Sequence, residues 1–252
     1  MAAPSVYGAP IFNDNPPYTI SKTEQTELHP DADLPVYFWK PEQEYGWASQ
    51  WYHSPFTARV TLPSGEEREA VFPTAEHWMM AQKALLFGDQ AIFERIIPSS
   101  APAQAPPTTA EPAPSTPGGP ARRTRSSHKP TAVAPVAKAR PRPRYPSAKE
   151  CKSLGRKVQG FEDAVWTHER VRIVREGTLH KFRQHAGIRG ELLATGGREL
   201  VEASPRDRIW GIGFGRAGAE RVDREAWGLN LLGRALVEAR AVLRAEAAEG
   251  RA

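Results

Sequence analysis

The chain has 252 residues, 34 Lys and Arg against 29 Asp and Glu, and 40% hydrophobic residues, enough for one large or two small domains with a packed core. One cysteine, Cys151, excludes an intramolecular disulfide and fits a reducing compartment, and no apolar run approaches the ~20 residues of a membrane helix. The positive charge is local. Residues 97–148 hold eight Lys or Arg and one acid, Glu111, which leaves 26 of the 34 bases and 28 of the 29 acids elsewhere. The basic balance therefore describes a segment and is no argument that a folded domain grips nucleic acid.

Residues 1–33 carry Pro4, Pro10, Pro16 and Pro17 among polar residues without period, and read as a disordered tail with no secretory-signal pattern. Val36-Tyr37-Phe38-Trp39 is a short strand candidate. Phe56 to Leu62 alternates, Pro63-Ser64-Gly65-Glu66 turns and Glu69 to Phe72 returns, which is a hairpin. Thr74 then suits the N-cap of a helix over 75–87, with a second short helix over 90–96. Residues 97–148 hold 13 of the 24 prolines and Tyr145 as their only Phe, Trp or Tyr; such a chain buries too little apolar surface to offset the entropy of ordering it. Helices follow over 148–154, 162–185 and 188–195, then a short buried strand over 200–203. A final helix over 230–246 carries Leu232, Ala235, Leu236, Ala239, Val242 and Leu243 on one stripe. The whole reads as one α+β domain, predominantly α-helical, with a small antiparallel β element. It is built from two segments, 34–96 and 149–246, and interrupted by a disordered Pro/Ala/Arg-rich insertion, 97–148, whose length loop-closure entropy tolerates.

Two stretches carry chemistry. In Thr74-Ala75-Glu76-His77-Trp78-Met79-Met80-Ala81-Gln82-Lys83, Glu76 lies in the first helical turn, where the helix dipole favours a carboxylate, and Lys83 lies two turns along the same face with Met80 between them. The same residues also suit a plain dipole acid and a surface lysine. In Ser204-Pro205-Arg206-Asp207-Arg208-Ile209-Trp210-Gly211-Ile212-Gly213, an acid and an indole stand beside glycines that let backbone approach a flat ligand; a tryptophan capping the core is the competing reading. Arg156 after Gly155, and Trp166 at the start of a helix, are by themselves more ordinary structural residues. The seven histidines show no paired metal-ligand spacing, and the glycines 211–215 are not followed by a dinucleotide-binding helix, so neither a metal nor a cofactor is expected.

In combination these pieces resemble the NADAR (YbiA-like) family. The residues that carry the resemblance are Thr74 to Trp78 with Ala81 to Ala84, Gly155-Arg156, Trp166, Lys181-Phe182, Leu192 to Gly196, Asp207-x-x-Trp210-Gly211-x-Gly213 and Asn230-x-Leu232-Gly233. Trp47-Ala48-Ser49-Gln50-Trp51 resembles that family's Ser-Asn-Phe turn, with Gln50 in place of asparagine. The resemblance implies an N-glycosidase acting on a phosphoribosylated riboflavin-pathway intermediate or an ADP-ribosylated base, with an ADP-ribose or nucleotide-binding module without turnover as the alternative. It implies catalytic roles for Glu76, Lys83 and Asp207, and substrate-binding roles for Arg156, Trp166, Trp210, Gly211 and Asn230. The expected partner is a small nucleotide-like substrate, an ADP-ribosylated nucleic-acid base among the candidates. The expected location is the cytoplasm, or the nucleus if the arginine cluster directs import.

Overall fold

The computed structural model describes residues 34–98 and 144–250, so the expected tail and the middle of the expected insertion lie outside the described residues. In chain order the elements are β1 (Val36–Phe38), a 3-10 turn (Gly46–Ala48), β2 (Phe56–Thr61), β3 (Glu67–Phe72), α1 (Ala75–Leu86), α2 (Gln90–Ile96), α3 (Ala148–Gly155), α4 (Asp163–Gln184), α5 (Ala186–Ala194), β4 (Leu200–Glu202), α6 (Arg216–Ala219), a second 3-10 turn (Arg224–Ala226) and α7 (Leu231–Ala248). The class is α+β and mostly helical. The chain divides into two compact units, residues 55–162 on one side and the segments before and after them on the other.

In the 55–162 unit, β2 and β3 pair antiparallel from Phe56 opposite Phe72 to Thr61 opposite Glu67. The alternation of Phe56, Ala58, Val60 and Leu62 is the buried face of this hairpin. Phe56 stacks on Phe72 at 5.6 Å between centroids, and Trp78 of α1 meets Phe72 edge-on at 5.1 Å, which fastens the hairpin to the helix. Thr74 caps α1 by accepting the His77 N–H, and Asp89 caps α2 through Ile92. At α3, Ser147 and Glu150 form a capping box. The ends of the expected insertion belong to this unit: Ile97 is 1% exposed, and residues 144–148 lead into α3. Helix α3 packs on α1 at Gly155, where an added Cβ would stand 2.0 Å from Met80 Sδ.

In the other unit, β1 and β4 form a parallel pair, Val36 opposite Leu200 to Phe38 opposite Glu202. The antiparallel hairpin expected from sequence is thus joined by a second, parallel element. Helix α7 lies against α4, α5 and β4 with Leu232, Ala235, Leu236, Ala239 and Leu243 buried. Its approach to β4 needs Gly233, where a Cβ would stand 2.0 Å from the Leu200 carbonyl oxygen and 2.5 Å from Asn230 Nδ2. Two arginines of α7 close the carbonyl end of α5. Arg240, buried, donates to Thr195 Oγ1 and to the Arg198 carbonyl, and Arg244 donates to the carbonyls of Leu193 and Gly196.

The two glycine contacts differ in what blocks them. Gly155→Ala meets a methionine side chain that can turn, and is expected to cost about 1–3 kcal/mol. Gly233→Ala meets a backbone carbonyl and an amide already in use, and is expected to cost more. Urea midpoints of the two variants, with Met80→Ala added to the first to relieve it, check this; equal midpoint shifts would contradict the argument.

Candidate active site

Helix α1 sets out the first group of candidate residues. Glu76 is 2% exposed in its first turn, and Lys83 follows seven residues later, a rise of about 10 Å. The N-terminal turn is held firmly. His77 Nε2 lies 2.8 Å from the Pro146 carbonyl, so it carries the proton, and Nδ1, 2.8 Å from Thr74 Oγ1, accepts the hydroxyl hydrogen. Tyr145 meets the same imidazole edge-on. The Cys151 thiol reaches the Glu76 carbonyl oxygen at 3.7 Å; burial first, and then the Glu76 carboxylate, push its pKa up. Cys151 is therefore an inert packing thiol beside the acid.

Lys83 carries its ammonium 4.0 Å from the centroid of the Phe161 ring. Arg156 is exposed immediately after Gly155, at the C-terminal end of α3. Because Gly155 abuts Met80, and Met80 lies on the helix face between Glu76 and Lys83, the chain delivers Arg156 beside that same stretch of α1.

The other unit holds the remaining candidates. Residues 204–213 form a loop bonded at almost every peptide. Asp207 Oδ1 accepts the N–H groups of Ile209 and Trp210 at 3.0 and 2.8 Å, which fixes the turn carrying the half-buried indole. Backbone bonds then lace the loop to residues 228–232: Gly228 to Ile212, Leu229 to Arg208, Asn230 to Gly211, Leu231 to Ile209 and Leu232 to Trp210. Gly211 is buried where a Cβ would stand 2.7 Å from the Glu202 carbonyl oxygen. Asn230 sits in the left-handed region at φ 49° and uses its amide twice, Oδ1 accepting from the Glu202 N–H and Nδ2 donating to the Leu200 carbonyl. Trp166 is buried in the first turn of α4.

Lys181, which the sequence singled out only as half of a Lys-Phe pair, is 2% exposed and donates to the carbonyls of Trp47 at 2.6 Å and Ser49 at 3.1 Å. Trp47 meets Phe182 edge-on, and Tyr45 meets Trp47 edge-on. The Trp47–Gln50 turn is thereby clamped to α4, and Gln50 Oε1 within it is sealed from solvent without a hydrogen-bond partner among the described residues. Burial alone pushes the Lys181 amine down to about 7. Among the described residues no three His, Cys, Asp or Glu side chains gather as a metal would require, and no helix is long and apolar enough to cross a membrane.

With these groups placed, the chain can be set beside known proteins. The NADAR domain model matches residues 37–116 and 123–244, and the chain belongs to the NADAR family. An N-glycosidase of Acanthamoeba polyphaga mimivirus is 32% identical over 195 residues, 76% of this chain and 84% of that protein. An N-glycosidase of Nostoc punctiforme is 39% identical over 95 residues, 38% of this chain and 54% of that protein. A riboflavin biosynthesis protein of Vibrio vulnificus is 24% identical over 192 residues, 76% of this chain and 36% of that protein. The NMR structure of the E. coli protein YbiA shares the fold, with a TM-score of 0.52 and 24% identity over 86% of this chain and 89% of that one. The protein is a hydrolase acting on N-glycosyl bonds.

The buried lysine has a measurable consequence. Its pKa is about 7 folded and 10.5 unfolded, so between those values the unfolded chain holds a proton that the folded chain lacks. Stability therefore rises with pH through that window, by at most about 1.4 kcal/mol per pH unit, and the penalty is fully present below pH 7. Subtracting the denaturation free energies of Lys181→Met from those of the unaltered protein at each pH isolates this slope; a difference that stays flat from pH 7 to 10 would refute the assignment.

Proposed function

We propose that the protein hydrolyses the ribosyl C–N bond of a small phosphorylated, ribosylated base, either a phosphoribosylated pyrimidine intermediate of riboflavin synthesis or an ADP-ribosylated base. The observation that carries this reading is a carboxylate buried at a capped helix N-terminus, with an ammonium two turns along the same face. Riboflavin biosynthesis also appears in the name of the Vibrio vulnificus relative.

In this reading the C–N bond lengthens and positive charge grows on the ribose ring. Glu76, at the N-terminal end of α1, stabilises that charge and takes a proton from the attacking water. The water oxygen bonds to the anomeric carbon as the nitrogen leaves with the bonding pair, and Lys83 donates a proton to that nitrogen. Solvent then removes the proton from Glu76 and restores the one on Lys83, so the net change is the addition of one water across the bond. Arg156, exposed beside this row, suits a phosphate by paired N–H donors. In the other unit, Asp207 fixes the turn that carries the half-buried Trp210, whose ring suits a flat base. Gly211 and Asn230 hold the loop's backbone.

Glu76→Gln keeps the shape and removes the charge. Turnover of a phosphoribosylamino-pyrimidine, or of ADP-ribosylated guanosine, is expected to fall by roughly 10²–10³ with the melting curve and ligand affinity preserved. Release of free base measured by chromatography, with binding measured by calorimetry, tests it. Near-normal turnover would remove Glu76 from catalysis. An unaltered protein that binds both compounds and cleaves neither would make it a binding module instead.

A further inference from the structure

We propose that Phe161 is a positioning residue for this reaction: its ring fixes the Lys83 ammonium in place and favours its protonated state. The inference rests on the role given above to Lys83. A cation within about 6 Å of a ring centroid is drawn to the negative face of the π-system, and Lys83 Nζ stands at 4.0 Å. Phe87, the C-cap of α1 four residues after Lys83, meets the same ring at 5.4 Å and 63°. Phe161 thus lies across two neighbouring positions of one helix face.

The chain is built to hold the ring there. Gly155 presses the end of α3 onto Met80, and Val158 is buried. The Gln159 N–H donates to Asp89 Oδ2 at 2.9 Å, while the other oxygen of Asp89 caps α2. Gly160 then turns the backbone with a φ of +66°. Contacts at three of the six residues before Phe161 tie this strap down. Phe161 packs edge-on against Phe87 and keeps 43% of its surface exposed, with the Lys83 ammonium against its ring. What the strap delivers is a ring on an amine.

Replacing the ring with an aliphatic side chain removes the attraction that favours the charged amine. In Phe161→Leu the Lys83 titration midpoint should fall by roughly 0.4–0.7 pH unit. The alkaline limb of kcat/KM should fall with it, and kcat should drop roughly tenfold with KM little changed, because the donor is no longer held in place. Phe161→Trp should retain the midpoint and most of the activity. The readout is the NMR titration of Lys83 in protein carrying isotope-labelled lysine, assigned with Lys83→Met, alongside pH–rate profiles and melting curves. A midpoint unmoved in a folded Phe161→Leu variant overturns the inference whatever the rate does. A lowered midpoint with full activity in Lys83→Met also overturns the role in the reaction, and in that case the fault lies with Lys83 as proton donor rather than with the contact.

Discussion

Ionisable side chains buried at fixed points are the constraint on which the rest depends. Glu76, Lys181 and Arg240 are each nearly sealed from water, and an ion in the interior is tolerable only where fixed dipoles replace its hydration. Each is met by the ends of backbone elements. Glu76 stands at the positive end of α1, Lys181 on the carbonyls of Trp47 and Ser49, and Arg240 on the Thr195 hydroxyl and the Arg198 carbonyl just beyond α5. The caps, glycines and aromatic contacts around them keep those dipoles from turning away.

Much of this architecture is legible in the residues. Thr74 marks the start of α1, Gly88 its end, the alternation at 56–62 gives the hairpin, and the stripe on α7 gives its buried face. Each is a local signal with a local cause. The parallel pairing of β1 with β4 is different: two three-residue apolar runs, Val36–Phe38 and Leu200–Glu202, contain nothing that names their partner. The Ser147-x-x-Glu150 box that starts α3 is a local signal set at the end of a Pro- and Arg-rich stretch.

The candidate site was legible in its residue types and less so in their uses. Helix geometry puts Glu76 and Lys83 on one face, and the family resemblance is what marks them as candidates. Asp207 and Asn230 are implied by the resemblance; the structure shows in addition that Asp207 Oδ1 and the Asn230 amide bind loop and strand peptides. The burial of Lys181 is not legible in its position, because lysine is seldom fully buried. Phe161 escaped notice because its value comes from a contact with a residue 78 positions earlier.

A helix is a sound support for an acid and an amine held at a set spacing. Its rise sets their separation in advance, and its caps fix the first turn, so neither group depends on a mobile loop for its place. The cost is that a lysine two turns from the cap has a long, flexible stem. Something outside the helix must choose its rotamer, or much of the advantage of a rigid support is lost in the last four bonds. In the 55–162 unit that selection falls to the strap from Gly155 to Phe161. One end is set by the contact of Gly155 with Met80, the middle by the Gln159 bond to Asp89, and the far end by the ring on Lys83. The same segment that brings Arg156 to the helix face thus restrains the amine on it, and a single short stretch of chain completes a row of groups that α1 alone leaves half fixed.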